Sequence, residues 1–515
     1  MCHHAPVPGR RTLIAVAAAL SPFLPGTVAS APALADPISA TVTTRLIGQS
    51  MPGGFLGVSF EYRAVHQYTG RDPRAVDPVL VNLLRGMTPS GTPVVRIGGD
   101  STDGTWWPIP GTHAPGGIYY PLNAGWMRTT RALAADLRAK LILGINLEAG
   151  RPAIAAAEGR ALLHGIGSRY IQALEIGNEP DLYGVFPWYR DRRGHLHRSR
   201  GRRYGLKDYT KEFSHWSKRL PRLPLAGPAT SGPAWMSGLG RFISAERGLK
   251  LVTYHRYPLR ACVTDPSATG YPTIPSLLAD SSSSTLARGV TRLAAVAHAH
   301  HRPLRLTELN SASCQGAAGV SDTFASALWA LDTLFNLEGA GVDGVNFHML
   351  PGSHYELFSP AQTPSGQWQA DVHPEYYGLL MFARAFPAGA RRLKVGSPGG
   401  PVKIWATQDR AGTVRVTVIN KDTANAHTVT VSVPGPTQSA SLETLQAPSA
   451  GSTSGVTLGG QTFGAETSTG TLPGPPQTSP VAPGPGGYTI QVPAASAALL
   501  TAPSGAGGTP LARHR

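Results

Sequence analysis

The sequence predicts an α/β fold: a (β/α)8 TIM barrel with an appended all-β sandwich, built from the C-terminal region plus an N-terminal strand. Three observations predict it. Eight short β-like runs alternate with helical stretches between residues 55 and 350. Seven of the eight end on a polar or ionisable residue. After residue 390 the pattern changes to apolar residues alternating with period two. At 515 residues and 41% apolar content the chain exceeds one ordinary domain and can bury a real core.

Residues 1–35 read as a secretory leader, with Arg10 and Arg11, the apolar "TLIAVAAALSPFL" and the small-residue "APALA" ending at Ala35. Export to the extracellular space is expected, and the paired arginines leave the general secretory and twin-arginine routes both open. No later stretch reaches the roughly 18 apolar residues that span a bilayer, so no membrane partner is expected. Losing the leader removes Cys2, Arg10 and Arg11 and takes the formal charge from +16 to +14. Cys262 and Cys314 then form an even pair in an oxidising compartment and are expected to bridge. The positive balance favours polyanionic partners, with an arginine-rich genome as the competing explanation; no nucleic-acid partner is expected.

Residues 36–50 hold "ISATVTTRLI", an N-terminal strand expected to join the later β-module. The barrel is expected over 51–388. Its strands are "FLGVSFE", "VVRIGGD", "KLILGINLE", "YIQALEIGNE", "LPLAGPAT", "LKLVTYHRY", "PLRLTELN" and "VDGVNFHML". Unbroken apolar runs of this length suit strands buried on both faces of a parallel sheet. Segments such as "WMRTTRALAADLRA" and "TFASALWALDTLFNLEGA" supply helices between them. Over 389–503, "TVRVTVIN", "HTVTVSVP" and "GYTIQVP" predict a β-sandwich, with a Gly/Pro/Ser/Thr-rich surface loop from about 449 to 487. Residues 504–515 are expected to be a disordered tail.

Catalytic groups of such barrels stand at the C-terminal strand ends. Here those ends carry Glu61, Asp100 with Asp103, Asn146 with Glu148, Asn178 with Glu179, His255 with Tyr257, Glu308 with Asn310, and His348. Glu179 and Glu308, on the fourth and seventh strands, face each other across the mouth. Glycoside hydrolysis needs such a pair: one carboxylic acid protonates the departing oxygen, and one carboxylate attacks C1 or activates water. A helix cap for Glu179 and a strand-end ion pair for Glu308 are the plainer readings of each taken alone.

"EIGNEPD", "YHRY" on the sixth strand and "LTELN" on the seventh resemble the clan A retaining glycosidases. "VRIGGDSTDGTWW", "LEIGNEPDLYG" and "PAASAALL" resemble glycoside hydrolase family 79, the β-glucuronidase and heparanase family, over essentially the whole mature chain. The resemblance implies Glu179 as acid/base, Glu308 as nucleophile, and Asn178 bonded to the sugar 2-hydroxyl. Tyr257 can donate to Glu308, or can serve as an amphipathic rim residue. Glu179 must start protonated, which burial and the charge of Glu308 would achieve.

Glu61 and Asp103 are candidates for hydroxyl recognition, and His255 and His348 for orienting the site or for core packing. Trp106 with Trp107 suits either an aromatic wall or loop packing. "RDRRGHLHRSRGRR" at 190–203, with seven arginines and one aspartate, reads either as a holder of an anionic glycan chain or as a solvated insertion. "HAHH" at 298–301 lacks the spacing of a zinc site and suits a helix C-terminus. No metal and no cofactor are expected. The expected protein is a secreted retaining β-glycosidase acting by double displacement on terminal β-D-glucuronides or glucuronic-acid-containing polysaccharides. Neutral β-glucosides or β-xylosides are the alternative substrates, and a catalytically silent carbohydrate-binding protein is the alternative class.

Overall fold

The computed structural model describes residues 38–396, 399–435 and 438–503. The leader and the C-terminal tail expected from the sequence lie outside the described residues. No helix among those described is long and apolar enough to cross a membrane.

A first strand, β1 (Ile38–Ile47), precedes the barrel. Eight parallel strands then close a barrel in chain order: β2 (Leu56–Glu61), β3 (Val94–Gly98), β4 (Lys140–Ile145), β5 (Ile171–Ile176), β6 (Leu225–Thr230), β7 (Leu249–Arg256), β8 (Leu304–Leu309) and β9 (Gly344–Met349). Strands β2, β3, β6, β8 and β9 are buried at every position, which is why their sequences show no apolar–polar alternation. Short two-stranded sheets build up the loops, among them Leu259–Arg260 with Ala312–Ser313. The Cys262–Cys314 disulfide ties together the same two loops, which follow β7 and β8.

The β-module is hydrogen-bonded as one sheet of ten strands. It contains β10 (Arg391–Gly396), β11 (Val402–Gln408), β12 (Val414–Asn420), β13 (His427–Ser432), β14 (Ala440–Gln446), β15 (Thr457–Leu458), β16 (Ser479–Val481), β17 (Tyr488–Val492) and β18 (Ser496–Ala502), together with β1. The linking element is β1. Its later residues pair antiparallel with β10 and its first four pair parallel with β13, with a shift of register between Val42 and Leu46. The strands it links share one apolar core that includes Ile404, Val416, Val431, Ile490 and Leu500. The chain's N-terminal strand thus completes a module otherwise made from its C-terminal region.

Helix Phe324–Gly339 lies between the two modules, and its buried length follows from that position. Phe335 stacks on Trp405 at 5.4 Å, Glu338 pairs with Arg392, and Asp332 accepts from Lys421 at 2.8 Å.

The glycine-rich stretch from 449 to 487 is not the surface loop its composition suggests. It straps the β-module to the barrel. Phe463 is buried against Tyr376 and Tyr377, and the N–H of Phe463 donates to the Tyr377 hydroxyl at 2.9 Å. Backbone groups at Ala450 and Ser452 accept from Ala325 and Phe324. Gly470, at φ +68°, passes so close to Val79 that a Cβ would lie 2.4 Å from the Val79 carbonyl oxygen. Composition reads as loop because the contacts come from single aromatics and backbone groups, without any period. Phe463→Ala is expected to destabilise the protein by about 3–5 kcal/mol, measurable as a lower denaturant midpoint; an unchanged midpoint would show that the strap carries no stability.

Candidate active site

The side chain at the centre of the barrel mouth is Arg96, from the middle of β3, with no solvent exposure. Its Nε donates to Glu175 Oε2 at 2.6 Å, Nη1 to Glu308 Oε2 at 2.9 Å and Ser59 Oγ at 3.1 Å, and Nη2 to Asn178 Oδ1 at 2.8 Å. A buried guanidinium requires opposite charge and filled donor positions. Glu175 and Glu308 supply the charge, and Asn178 and Ser59 fill the remaining directions. The sequence reading missed Arg96 and Glu175. The available signal was a charged residue inside each of two mainly apolar strands.

Glu308 stands near the end of β8, where pairing is irregular on both sides. Register shifts fall between Tyr254 and His255 on β7 and between Leu306 and Leu309 on β8. Such irregularities re-aim side chains, and here Thr307 reaches Glu175 inside the barrel while Glu308 reaches the mouth. Glu308 Oε1 accepts from the Tyr257 hydroxyl at 2.7 Å. Burial alone would raise the Glu308 carboxyl, but the charges of His348, His255 and Arg96 and the Tyr257 hydrogen bond outweigh it. They hold the group well below the usual carboxylate range. The strand-end ion pair considered from sequence is therefore present, with Arg96 as the partner.

Glu179 follows β5 in the left-handed region, φ 47° and ψ 51°, a conformation that costs a non-glycine residue about 1–3 kcal/mol. Its N–H donates to the Ala229 carbonyl at 2.9 Å, and its carboxylate makes no capping bond to the turn at Pro180–Leu182. The helix-cap reading is thereby set aside. Glu179 Oε1 instead lies 3.0 Å from Nδ1 of the fully buried His255. Burial raises the Glu179 carboxyl against that hydrogen bond, and the charge of Glu308 adds to the rise.

The other expected residues divide. Asn178 and Tyr257 border the two glutamates. His348 lies 3.1 Å from Ser59 Oγ and 3.8 Å from Glu308. Burial would lower its pKa, but Glu308 and Glu61 raise it. Asp103 does not face the mouth with free oxygens: it accepts from the N–H groups of Leu147, Glu148 and Asn178 and from the Tyr183 hydroxyl. Glu61 likewise accepts from the N–H groups of Asp100 and Ser101. Both acids brace the loops that present the site. Trp106 is buried in a short strand paired with Tyr120–Pro121, so packing and not a sugar-facing wall describes it. Tyr355, which the sequence reading did not name, and the strand-end Asp100 also reach the mouth. Tyr355 has its ring 6.3 Å from that of Tyr257 and 5.9 Å from that of His348. Asp100 is open to solvent, yet its carboxyl sits low among protein atoms. That crowding, then the charges of Glu61, Glu179 and Glu308, pushes it up to about 7.

Among the described residues, the group with metal-ligating spacing is Glu179, His255 and Glu308, whose facing atoms all lie within 4.8 Å of one another. It fits a cation poorly, because both Glu308 oxygens already accept hydrogen bonds, one of them from a guanidinium. The histidines of 298–301 sit at the end of helix Ser284–Ala299, and His298 Nε2 is 2.7 Å from Asp343.

The arginine-rich stretch after β5 is ordered. Tyr189–Arg190 pairs with Leu196–His197, and Asp191 accepts from the N–H groups of Arg193 and His195. Arg200 is drawn inward onto Glu212 at 2.9 Å and donates to the Leu147 carbonyl. Arg190, Arg192, Arg193, Arg198, Arg202 and Arg203 remain exposed, beside the exposed apolar side chains of Val185, Phe186 and Leu196.

Residues 404–499 match the model of the glycosyl hydrolase family 79 C-terminal beta domain. A β-glucuronidase of Neurospora crassa is 23% identical over 398 residues, 69% of this chain and 67% of that protein. The chain carries a family 79 C-terminal β domain and is similar to β-glucuronidases. The chain is an O-glycosyl hydrolase. A β-glucuronidase of Aspergillus niger is 32% identical over 120 residues, 23% of this chain and 22% of that one. In fold, the chain resembles a 4-O-α-L-rhamnosyl-β-D-glucuronidase from Fusarium oxysporum, with TM-score 0.67, 18% identity, and 90% and 100% of the two chains covered. A family 51 arabinofuranosidase from Xanthomonas axonopodis pv. citri gives TM-score 0.61 at 14% identity over 90% and 99%.

Replacing Arg96 by methionine strands two buried carboxylates and is expected to cost about 3–5 kcal/mol at neutral pH. Because Glu308 is held below its unfolded value, its share of that stability is present above the ordinary carboxylate pKa and is lost as pH falls. The gap between wild type and Arg96→Met, read from denaturant midpoints, should therefore narrow below about pH 4.5; a gap that stays constant would contradict the assignment.

Proposed function

We propose that the protein is an exported retaining β-glucuronidase that hydrolyses terminal β-D-glucuronides by double displacement, with Glu308 as nucleophile and Glu179 as acid/base. One observation carries the reading: the facing oxygens of Glu179 and Glu308 lie within 4.8 Å of each other. A retaining pair needs about 5–5.5 Å between carboxyl groups and an inverting pair roughly 6.5–9.5 Å, so the close approach supports the retaining reading. The opposite directions of the two carboxyl pKa values support the division of roles. The ionised Glu308 attacks C1 while Glu179 protonates the departing oxygen; once Glu308 is an ester, its charge is gone and Glu179 can take a proton from water. Asn178, held by Arg96, is placed to meet the sugar beside Glu179.

The glucuronide preference rests on the β-glucuronidases to which the chain is similar. A second reading has its own support. Glu61, Asp100, Glu179 and Glu308 crowd the mouth with carboxyl groups, which favours a neutral sugar such as a glucoside or xyloside. A uronate would then depend on a neutral donor such as the hydroxyl of Tyr355. Export rests on the leader-like residues 1–35. The exposed arginines of 190–203 suit an anionic glycan extending from the acid/base side of the cleft.

Aryl β-glucuronide is expected to turn over faster than aryl β-glucoside, and the reverse order would favour the neutral-sugar reading. Glu308→Gln should lower kcat roughly a thousandfold or more; a wild type that binds glucuronides without hydrolysing them would mark a carbohydrate-binding protein. Raising the salt concentration should weaken turnover of a long polyanionic glucuronide well before that of the aryl substrate. Equal salt sensitivity for the two would remove the arginine hairpin from substrate binding.

A further inference from the structure

We infer that His255 is a positioning residue whose Nδ1–H holds Glu179 and supports the negative charge left on it when the reaction reaches its covalent intermediate. The inference rests on the double-displacement reading above. Nδ1 lies 3.0 Å from Glu179 Oε1 and 3.7 Å from Glu308 Oε2, while the buried Nε2 has no hydrogen-bond partner among the described residues. With carboxylates facing Nδ1, that nitrogen carries a proton toward them.

The two glutamates are supported unequally. Glu308 has Arg96 and Tyr257 as donors. Among the described residues, Glu179 has one side-chain hydrogen bond, from His255. In the first step Glu308 attacks C1, the bond from C1 to the aglycone oxygen breaks, and the proton of Glu179 passes to that oxygen. The charge then resides on Glu179, beside the one donor it has. In the second step a water oxygen attacks C1, the water proton passes to Glu179, and the electrons of the ester bond return to Glu308. Before the first step, a hydrogen bond accepted by Oε1 also leaves the acid proton to the other oxygen of Glu179. Loss of the His255 donor should therefore burden the second step, in which Glu179 acts as an ionised base, more than the first.

Dinitrophenyl β-glucuronide separates the steps, because its leaving group needs no acid. His255→Phe keeps the ring and removes the donor; His255→Asn restores an N–H near the position of Nδ1. For His255→Phe, kcat should fall about 10–100-fold, the usual worth of a hydrogen bond to a charged group. Its kcat/KM should stay within about threefold, with a burst of dinitrophenol near one equivalent. His255→Asn should recover most of kcat. Parallel loss of kcat and kcat/KM, equal impairment of Phe and Asn variants, or no loss in either would overturn the proposal. His255→Leu provides a second donorless variant should His255→Phe fail to fold. Failure of the underlying reading is seen separately: a 2-fluoro-glucuronyl fluoride would then leave Glu308 of the wild type unlabelled in a peptide map.

Discussion

Arg96 reaches Ser59 on β2, Glu175 on β5, Glu308 on β8 and Asn178 just beyond β5 from its own place on β3, so four barrel strands share one buried cation. A charge in that position is tolerated only while every partner is in place, because an uncompensated buried ion costs several kcal/mol. The same demand that makes the arrangement exacting makes it rigid. Glu308 cannot drift without leaving a guanidinium unpaired, and Asn178 cannot turn its amide without losing a charged donor. The barrel's closure in chain order is what brings these four strands around one point.

From that constraint the asymmetry of the two carboxylates follows. Glu308 is surrounded by donors and positive charge and stays ionised in spite of burial. Glu179, on a strained turn across the mouth, has far less support and holds its proton more firmly. Two residues of the same chemistry therefore differ in proton affinity because of their neighbours. Carboxylates further out serve the loops: Asp103 gathers N–H groups from the loops after β4 and β5, and Glu61 gathers those at the start of the turn after β3. A site of this kind is held from outside as well, by the disulfide over β7 and β8 and by the strap that fixes the β-module to the barrel.

The eight barrel strands were legible because strands buried on both faces read as short apolar runs, and the strand-end polar residues stood out against them. Glu179 and Glu308 were legible as a pair by their positions on the fourth and seventh strands. What the acids at the ends of β2 and β3 do was not legible, since facing a sugar or facing backbone N–H groups depends on the path of the next loop. Arg96 and Glu175 were visible as charges inside apolar runs, but only a closed barrel shows that each is the other's partner. The strap escaped notice because Phe463 is a lone aromatic in a stretch of Gly, Thr and Pro, where no period marks a buried face.

The proposed double displacement by Glu308 and Glu179 implies one stereochemical outcome. Proton NMR of the sugar released from an aryl β-glucuronide in the first moments of reaction, before mutarotation, reads that outcome directly. The account predicts β-glucuronic acid as the first product, with the α-anomer growing in later. Initial appearance of the α-anomer would contradict it.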